Sequence, residues 1–382
     1  MALKCNLGFG MMRLPVNGGD PTNFDYPQLF QMVDCFLDEG YTYFDTSYVY
    51  HNGKSEEAVK KAVVERHPRD RFTIATKFPT FDLKKEEEIE PIFARQLENL
   101  GVDFIDYYLL HNFQTVYYDG IDGTGGVIKT CHLFDHALKW KEAGKIRHLG
   151  ISFHSSADLL DRILTEHPEI EFVQIALNYI DWESEFVQAG KCYEVIRRHG
   201  KEVVIMQPVK GGGLAAVPEA AQNALKEMDS EASIVSWALR FAGSLDGVIC
   251  TLSGMSTLEQ MRENTKAFKA FSPLTKGERD QLHEVVRLYK DAGPIGADLS
   301  RFQGLTFHGA PVTGIMEAYN ICQLQPDPGF TDDNNYLKNV IAAKAHLDCF
   351  GHLPEERVIL ADGTDATEEV LKAEQWLIKN SF

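Results

Sequence analysis

Four side chains that can take part in proton transfer lie at or just after the ends of short apolar segments. They are Asp45 near the end of YFDTS, Tyr50 in the loop that follows, Lys77 at the end of FTIATK and His111 at the end of YYLLH. A phenol, with a pKa of about 10, is a weak acid at neutral pH, but a neighbouring ammonium stabilises the phenolate and lowers that pKa. A carboxylate keeps the ammonium charged, so Asp45, Lys77 and Tyr50 are a candidate proton relay to a carbonyl oxygen. His111 is then a candidate hydrogen-bond partner for the substrate oxygen.

Each of these residues also has an ordinary explanation. A lysine at a strand end is usually a solvated charge, and a lone histidine after apolar residues is usually structural. Four polar residues at successive strand ends form a stronger case, because chance must place all four. The set includes no serine or cysteine nucleophile and no pair of carboxylates with glycosidase roles. It therefore suits proton transfer to a carbonyl oxygen.

The elements that must position these residues alternate regularly along the chain. Short apolar segments rich in β-forming residues occur at 7–15, 43–47, 72–77, 104–111, 148–154, 172–178, 202–208 and 247–254. Amphipathic helical patterns separate them, and near-continuous apolar strands are typical of a parallel sheet covered on both faces. Eight strand–helix units predict an α/β fold of the closed (β/α)₈, or TIM-barrel, type over residues 1–285. The competing doubly wound sheet is less favoured, because no GxGxxG motif follows the first strand.

The regular alternation ends near residue 285. Residues 291–335 are rich in glycine, proline and aspartate, and two helical patterns, NNYLKNVIAAKAHLD and TEEVLKAEQWLIKN, follow. We expect residues 286–382 to form a small, mostly helical C-terminal module packed on the barrel. An ordinary helical cap explains this module at least as well as a functional role.

Composition restricts the class of protein. The chain of 382 residues has 38 basic and 56 acidic residues and a net charge of −18, which argues against a nucleic-acid or acidic-membrane partner. No apolar segment approaches the roughly 20 residues of a membrane helix, and the N-terminus does not resemble a signal peptide. The seven cysteines are dispersed without a CxxC motif, which is typical of reduced thiols. We therefore expect a cytoplasmic protein.

Five motifs occur in the order FDTSYVYHNGKSEE, IATK, DYYLLH, GKIRHLGIS and GMSTLEQMREN. Together they resemble the aldo-keto reductases over roughly residues 3 to 270. The resemblance implies an NAD(P)H-dependent carbonyl reductase on a (β/α)₈ barrel, acting on a small-molecule carbonyl or alcohol. By matching motif, Asp45, Tyr50, Lys77 and His111 are the catalytic tetrad. Tyr50 would be the general acid, and the nicotinamide C4 would deliver hydride to the carbonyl carbon.

The same resemblance implies a set of residues that bind NADP or NAD. Ser152 and Gln174 match positions that hold the carboxamide, and Asn178 matches less well. Three consecutive glycines beside a lysine in QPVKGGGL suit the close approach of backbone N–H groups to phosphate, although a flexible turn is the alternative. The start of the last βα loop favours an anion at its helix N-terminus. The predicted cofactor residues are Met12, Arg13, Ser152, His154, Gln174, Gln207, Pro208, Lys210, Gly211, Gly212, Gly213, Ser253, Gly254, Met255, Gln260, Glu263 and Asn264.

Two departures from the family pattern concern the cofactor. Many NADPH-preferring members place a lysine and an arginine around the 2′-phosphate, whereas Gly254 and Gln260 stand at the matching positions here. Arg262 and Lys266 are nearby, but we expect them to face elsewhere. NADH is therefore plausible as the cofactor. The aromatic residue that often stacks on the nicotinamide is also replaced, with Met206 or Gln207 near that place.

The tail resembles that of a bacterial subgroup of the family that carries a ferredoxin-like domain. In that subgroup two runs of closely spaced cysteines hold iron–sulfur clusters, which need four thiolates each. This tail has only Cys322 and Cys349, so we expect a degenerate ferredoxin-like module without an iron–sulfur cluster. His346, Cys349 and His352 could chelate zinc, but helical spacing alone produces such triples, and no metal site is predicted.

Aromatic residues in two segments are candidate walls of a substrate pocket. Phe302, Phe307 and His308 belong to a loop of the tail, and Phe113, Tyr117 and Tyr118 belong to the insert at 112–126 that follows His111. Packing in the interior is the more frequent fate of phenylalanine and tyrosine.

Three functions fit the sequence. The first is an NAD(P)(H)-dependent oxidoreductase acting on an aldehyde, a ketone or the corresponding alcohol. The second is a redox-neutral epimerase or lyase that keeps NAD(P) tightly bound, and the third is a non-catalytic nucleotide-binding sensor. A complete tetrad favours a catalyst. The sequence leaves the substrate, the reaction direction and the oligomeric state open.

Overall fold

The computed structural model describes residues 6–120, 123, 125–326, 337 and 356–380. Eight parallel strands pair in sequence order and close into a barrel, since the first strand also pairs with the eighth. They are β1 Asn6–Gly10, β2 Tyr43–Asp45, β3 Thr73–Phe78, β4 Ile105–Phe113, β5 Ile146–Phe153, β6 Phe172–Ala176, β7 Glu202–Met206 and β8 Val248–Ser253. The predicted (β/α)₈ fold is confirmed. Most strands end earlier than the apolar segments suggest, because their last residues already form the loops at the mouth.

The described helices are mostly amphipathic and cover the outside of the barrel. They are α1 Tyr26–Asp38, α2 Tyr50–Gly53, α3 Ser55–Val59, α4 Ile89–Leu100, α5 Thr115–Tyr118, α6 Val127–Thr130, α7 Leu133–Glu142, α8 Ala157–Glu166, α9 Ala189–Arg198, α10 Glu219–Met228, α11 Ile234–Gly243, α12 Leu258–Ala270, α13 Lys276–Asp291, α14 Val312–Cys322 and α15 Thr367–Lys379. None of these helices is both long and apolar enough to cross a membrane.

Strand alternation separates the barrel interior from the layer beneath the helices. One set of strand residues packs inside the barrel and includes Tyr43, Ala75, Leu109 and Phe172. Their neighbours along each strand point outwards and join the large core shared with the helices. Because side chains alternate with a period of two, residues two positions further along β2, β3 and β4 also point inwards. Those positions lie at the C-terminal end of the barrel, where (β/α)₈ enzymes hold their active sites.

Close packing in the barrel interior needs small residues at some positions. A Cβ atom on Gly150 of β5 would lie 2.5 Å from the Phe172 ring of β6. Gly150 therefore leaves the space that the fully buried Phe172 fills, and the interior is a packed core rather than a channel.

The C-terminal part has a core of its own. A short hairpin, β9 Thr306–Phe307 and β10 Ala310–Pro311, precedes α14, and α14 packs against α15. The apolar cluster there includes Phe302, Phe307 and Leu377, together with Phe186 from the loop after β6. The predicted division at residues 285 and 286 falls inside α13, which continues across it. The division into a barrel and a degenerate ferredoxin-like module stays a prediction.

Candidate active site

Three predicted catalytic side chains project into the C-terminal end of the barrel from neighbouring strands. Asp45 ends β2, Lys77 is the fifth residue of β3, and His111 lies near the end of β4. Tyr50 begins the short helix α2 after β2, where His51 has a left-handed φ of 53°. The His51 ring fixes this loop, since Nε2 accepts from the Leu14 N–H at 3.2 Å and Nδ1 bonds to a backbone carbonyl.

The Lys77 ammonium is the centre of the site. It donates to Asp45 Oδ1 at 2.6 Å and to the Thr46 carbonyl at 2.7 Å. The Lys77 side chain is fully buried and the Asp45 side chain is 3% exposed. Lys77 Nζ also lies 4.8 Å from the centre of the Tyr50 ring. Two strands and the following loop therefore hold a phenol, an ammonium and a carboxylate in contact.

Burial and charge act against each other in this group. Burial disfavours the charged form of Lys77, but Asp45 and Tyr50 together hold its pKa above the usual value. Burial raises the pKa of Tyr50, and the charge and hydrogen bond of Lys77 offset only part of that rise. We expected a net lowering of the Tyr50 pKa, so the direction differs because burial outweighs the ammonium. Tyr50 is therefore a protonated phenol at neutral pH, held beside a cation.

His111 sits next to Tyr50 at the mouth. Its Nδ1 lies 3.3 Å from Ser47 Oγ, and its ring centre lies 6.2 Å from that of Tyr50 and 5.6 Å from that of Phe81. Burial, with the nearby charge of Lys77, lowers the pKa of His111 well below its usual value. The imidazole is thus neutral at physiological pH and can donate or accept a hydrogen bond at each ring nitrogen according to its tautomer.

A second neutral imidazole lies directly after the end of the next strand. His154 follows β5, and its Nε2 lies 3.0 Å from Ser152 Oγ, while its ring centre lies 6.5 Å from that of His111. Burial, again with the charge of Lys77, lowers the pKa of His154 to about 4. Ser152 and His154 therefore form a hydrogen-bonded pair beside the catalytic candidates.

Gln174 carries an unsatisfied acceptor. It pairs with Ser152 in the register of β5 and β6, and its side chain is almost fully buried. Its Nε2 contacts Met206 Sδ at 3.6 Å, and its Oε1 has no hydrogen-bond partner among the described residues. Asn178 uses its Oδ1 to accept from two backbone N–H groups and its amide to donate to Asp181. The amide oxygen of Gln174 thus has unused hydrogen-bonding capacity, whereas Asn178 holds its own loop.

The glycine-rich loop after β7 has an unusual backbone. Gln207 and Lys210 have positive φ angles of 54° and 47°, and Gly211 and Gly212 have 65° and 102°. Glycine accepts these conformations without the strain that other residues meet. The Gln207 Oε1 atom is buried and has no hydrogen-bond partner among the described residues.

Lys210 does not carry an uncompensated charge. Its Nζ donates to Asp181 Oδ1 at 2.5 Å, and both side chains are fully buried. The predicted contact of Lys210 with a phosphate stays a prediction, and the nearby carboxylate weakens the attraction of this ammonium for an anion.

Arg13 connects the loops after β1, β7 and β8. Its Nη1 donates to the Gly211 carbonyl at 2.7 Å, and its own carbonyl accepts from Ser256 Oγ at 2.9 Å. A Cβ atom on Gly254 would lie 3.7 to 3.9 Å from the Arg13 side chain. The predicted phosphate-binding loops therefore meet around one residue, Arg13.

The loop after β8 leads into α12, which Thr257 caps by accepting from the Gln260 N–H. The Ser256 N–H donates to Gln260 Oε1 at 2.9 Å, and Asn264 Nδ2 donates to Ser253 Oγ at 3.2 Å. The N-terminus of such a helix favours an anion. The other predicted cofactor residues lie around these loops: Met12 and Glu263 are exposed, Met255 and Pro208 are buried, and Gly213 is buried within the glycine-rich loop.

The predicted aromatic pocket walls pack elsewhere. Phe113 is buried in the main core, and the buried Tyr118 donates its hydroxyl to Glu166 at 2.5 Å. Phe302 and Phe307 lie in the core of the C-terminal part. His308 contacts the buried Glu374 at 2.8 Å. Tyr117 is partly buried against the main core. The three residues that could chelate zinc, His346, Cys349 and His352, lie outside the described residues. No group of three or more metal-ligating side chains occurs in the described part.

Sequence reasoning missed three residues of this site. Ser47 contacts His111, and its position two residues after Asp45 could have indicated an inward direction. Phe81 packs against His111 from the loop after β3, and Asp181 neutralises Lys210 from the loop after β6. Neither has a local signal, because loop conformation alone brings them to these partners.

Known proteins resemble this chain both as a family and as individual relatives. The profile of the Aldo/keto reductase family matches residues 6–287. A relative from Mycolicibacterium vanbaalenii, named aldo-keto reductase, is 29% identical over 261 residues, covering 67% of this chain and 83% of the relative. A relative from Escherichia coli, named NADH-specific methylglyoxal reductase, is 25% identical over 306 residues, covering 68% of this chain and 88% of the relative.

Solved structures share the barrel. An aldo-keto reductase from Bacillus halodurans in its holo form superposes with a TM-score of 0.57 at 24% identity, covering 75% of this chain and 95% of that one. An aldo-keto reductase from Klebsiella pneumoniae in complex with NADPH superposes with a TM-score of 0.58 at 19% identity, covering 76% of this chain and 96% of that one. At these identities the likeness concerns the fold.

Proposed function

Because the chain belongs to the aldo/keto reductase family, we propose that it is an NAD(P)H-dependent carbonyl reductase with Tyr50 as its proton donor. The observation that carries the proposal is the buried contact of Lys77 with Asp45 beside the Tyr50 ring. Carbonyl reduction needs a proton donor, which this relay can supply, whereas a protein that only binds nucleotide does not need one.

Residues of the mouth fit a nicotinamide carboxamide. The buried, unpaired acceptors Gln174 Oε1 and Gln207 Oε1 can receive N–H bonds from the carboxamide, and Ser152 adds a hydroxyl nearby. When bound, the reduced cofactor supplies the hydride that the carbonyl carbon receives. Arg13 and the N-terminus of α12 are suited to the pyrophosphate.

Proton transfer follows from the electrostatics of the relay. The raised pKa keeps Tyr50 protonated at neutral pH, which is the form needed to give a proton to a carbonyl oxygen. The Lys77 ammonium then stabilises the phenolate, and Asp45 keeps that ammonium oriented and charged. Neutral His111 hydrogen-bonds the substrate oxygen and orients it toward Tyr50. Hydride on carbon and a proton on oxygen complete the alcohol.

We infer that NADH serves at least as well as NADPH. Gln260, in the first turn of α12, stands where many NADPH-preferring members of the family have a basic residue. Its neutral side chain accepts from the Ser256 N–H through Oε1. The acidic Glu263 lies exposed on the same helix. Gln260 and Glu263 carry no positive charge that would attract a 2′-phosphate. Two exposed basic residues, Arg262 and Lys266, also lie on α12, and Arg262 contacts Cys35 of α1. The E. coli relative is named for NADH, which is consistent with this inference.

The substrate class is a small aldehyde or ketone, or the corresponding alcohol in the reverse direction. The half-buried Phe81 and the rings of Tyr50, His111 and His154 surround the reacting position. The relative named for methylglyoxal suggests that 2-oxo aldehydes belong in the first substrate panel.

Thermal-shift titration of the full chain with NADH and with NADPH tests the nucleotide site. Bound ligand raises the melting temperature according to the ratio of its concentration to its dissociation constant. A panel of aldehydes and ketones under the better nucleotide, followed by absorbance of the reduced nicotinamide, tests turnover. No shift with either nucleotide at millimolar concentration would show that the proposal is wrong.

The Tyr50→Phe variant separates the proposal from its two alternatives. We expect turnover to fall by about 10²- to 10⁴-fold while nucleotide affinity stays within about twofold, because the phenol acts on the substrate oxygen. A nucleotide-binding sensor would show no turnover in either protein. A redox-neutral epimerase or lyase would convert substrate without net consumption of the reduced nucleotide.

A further inference from the structure

The segment Lys210–Gly213, here the glycine segment, is in contact with the C-terminal part of the chain. A Cβ atom built on Gly213 would lie 1.6 Å from Gln325 Oε1, 2.5 Å from Gln325 Cδ and 2.7 Å from Gln325 Nε2. Gln325 follows helix α14, more than a hundred residues further along the chain. The Gln325 side chain therefore occupies the space that a Cβ atom on residue 213 would need.

Gln325 is fixed in this position. Its side chain is buried, and its Nε2 donates to the Tyr289 hydroxyl of α13 at 2.6 Å. Leu214, directly after the glycine segment, belongs to the same apolar cluster as Tyr289 and Ile321 of α14. Rotating Gln325 away would break a buried hydrogen bond and leave a void, so the side chain resists displacement.

The glycine segment also contacts Arg13, which follows the first barrel strand. Arg13 Nη1 donates to the Gly211 carbonyl at 2.7 Å, and Gly211 and Gly212 hold positive φ angles of 65° and 102°. The segment is thus held by Arg13 at Gly211 and by Gln325 at Gly213. A change in the position of Gln325 must shift the same backbone that is proposed to approach the nucleotide phosphates.

We propose that Gln325 is a positioning residue for the nucleotide, acting through the glycine segment, and that Gly213 is glycine in order to admit it. This inference rests on the proposed function, because the glycine segment must bind nucleotide for its shape to matter. The C-terminal part then contributes to cofactor affinity without touching the cofactor. Its contribution appears in binding rather than in the chemical step, because Asp45 and Lys77 lie on β2 and β3 and Tyr50 lies in the loop after β2.

A double-mutant cycle on the full chain tests the proposal. The variants are Gly213→Ala, Gln325→Ala and the double variant, and the measurement is the dissociation constant for NADH and NADPH. We expect Gly213→Ala to weaken binding by about tenfold, as for an overpacked site, and Gln325→Ala by about threefold. In the Gln325→Ala background the three atoms nearest to the added methyl are gone, so Gly213→Ala should cost less than about twofold.

Two further readouts distinguish positioning from general damage. At saturating nucleotide, kcat should stay within about twofold of wild type for each variant, while KM for the nucleotide rises. Gly277→Ala is the matched control, because Gly277 is exposed and has no heavy atom within 4 Å of an added Cβ. It should leave the dissociation constant unchanged.

The outcomes distinguish a failure of this proposal from a failure of the proposed function. If wild type binds neither nucleotide, the proposed function is wrong. If wild type binds and Gly213→Ala costs the same in both backgrounds, or nothing in either, Gln325 does not position the segment. If Gly213→Ala fails to fold, Gln325→Ala decides alone: a loss of about threefold supports the proposal, and unchanged affinity refutes it.

Discussion

Replacing Lys77 by methionine removes the ammonium from the centre of the site while keeping most of the side-chain volume. Asp45, which is 2% exposed, then loses the 2.6 Å contact that balances its charge. Its Oδ2 has no other partner among the described residues. The carboxylate must take up a proton or stay buried as an unpaired charge, and both routes reduce the stability of the fold.

The size of this effect follows from the burial of both partners. Removing one partner of a buried ion pair costs about 3–5 kcal/mol, because the other charge stays desolvated. Replacing both partners by neutral groups of similar size costs much less. We therefore expect Lys77→Met to lower the free energy of unfolding by about 3–5 kcal/mol, and the double variant Asp45→Asn with Lys77→Met to recover more than half of that loss.

Activity should not recover with stability. Both variants lack the ammonium that stabilises the Tyr50 phenolate, so kcat/KM should fall by about 10²- to 10⁴-fold in both. Urea unfolding followed by fluorescence gives the stabilities, and oxidation of the reduced nicotinamide gives the rates. A double variant that regained activity along with stability would refute the relay, because Lys77 would then only support the fold. A Lys77→Met variant as stable as wild type would refute the ion pair.

Two further predictions concern the neighbouring groups. The pKa of His154 is lowered to about 4 from an ordinary 6.5. As the pH drops from about 6.5 to 4, the imidazole is therefore protonated in the unfolded chain but still neutral in the folded one, and the free energy of unfolding falls. His154→Asn should make urea-unfolding stability less dependent on pH over that window, and an unchanged slope would contradict the burial of the neutral imidazole. Gln260→Arg should raise the ratio of NADPH affinity to NADH affinity by about tenfold, because a guanidinium binds the 2′-phosphate with charge-assisted hydrogen bonds. A ratio unchanged in fluorescence titrations would show that the 2′-position lies away from the first turn of α12.

Much of the barrel was predictable because its signals are local. A buried parallel strand reads as an apolar segment, and the chain repeats that segment eight times with amphipathic helices between. The period of two along a strand also indicates that Asp45, Lys77 and His111 point the same way as Tyr43, Ala75 and Leu109. The assignment of roles to the predicted site residues stays a prediction.

Other properties depend on contacts between distant parts of the chain. The net direction of the Tyr50 pKa depends on how deeply the phenol is buried, which outweighs the nearby ammonium. Lys210 reads as a phosphate ligand beside three glycines, yet Asp181 from another loop lies 2.5 Å from it. From the sequence, Phe302 and Phe307 are candidate walls of a substrate pocket, but they pack into a separate core.

Gly213 shows the difference most clearly. In the sequence it is one of three adjacent glycines, and the close approach of a phosphate would explain all three. In the folded chain Gly211 and Gly212 have positive φ angles, while Gly213 admits the side chain of Gln325.

The sequence by itself determined the barrel, the direction of its inward side chains and the strand ends at which polar groups meet. These follow from hydrophobic periodicity, which each segment carries on its own. The tertiary structure decided which charges neutralise one another, which histidines stay neutral and which side chain fills the space beside Gly213. Those depend on burial and on close approach between loops far apart in the chain, and no local pattern encodes a distance.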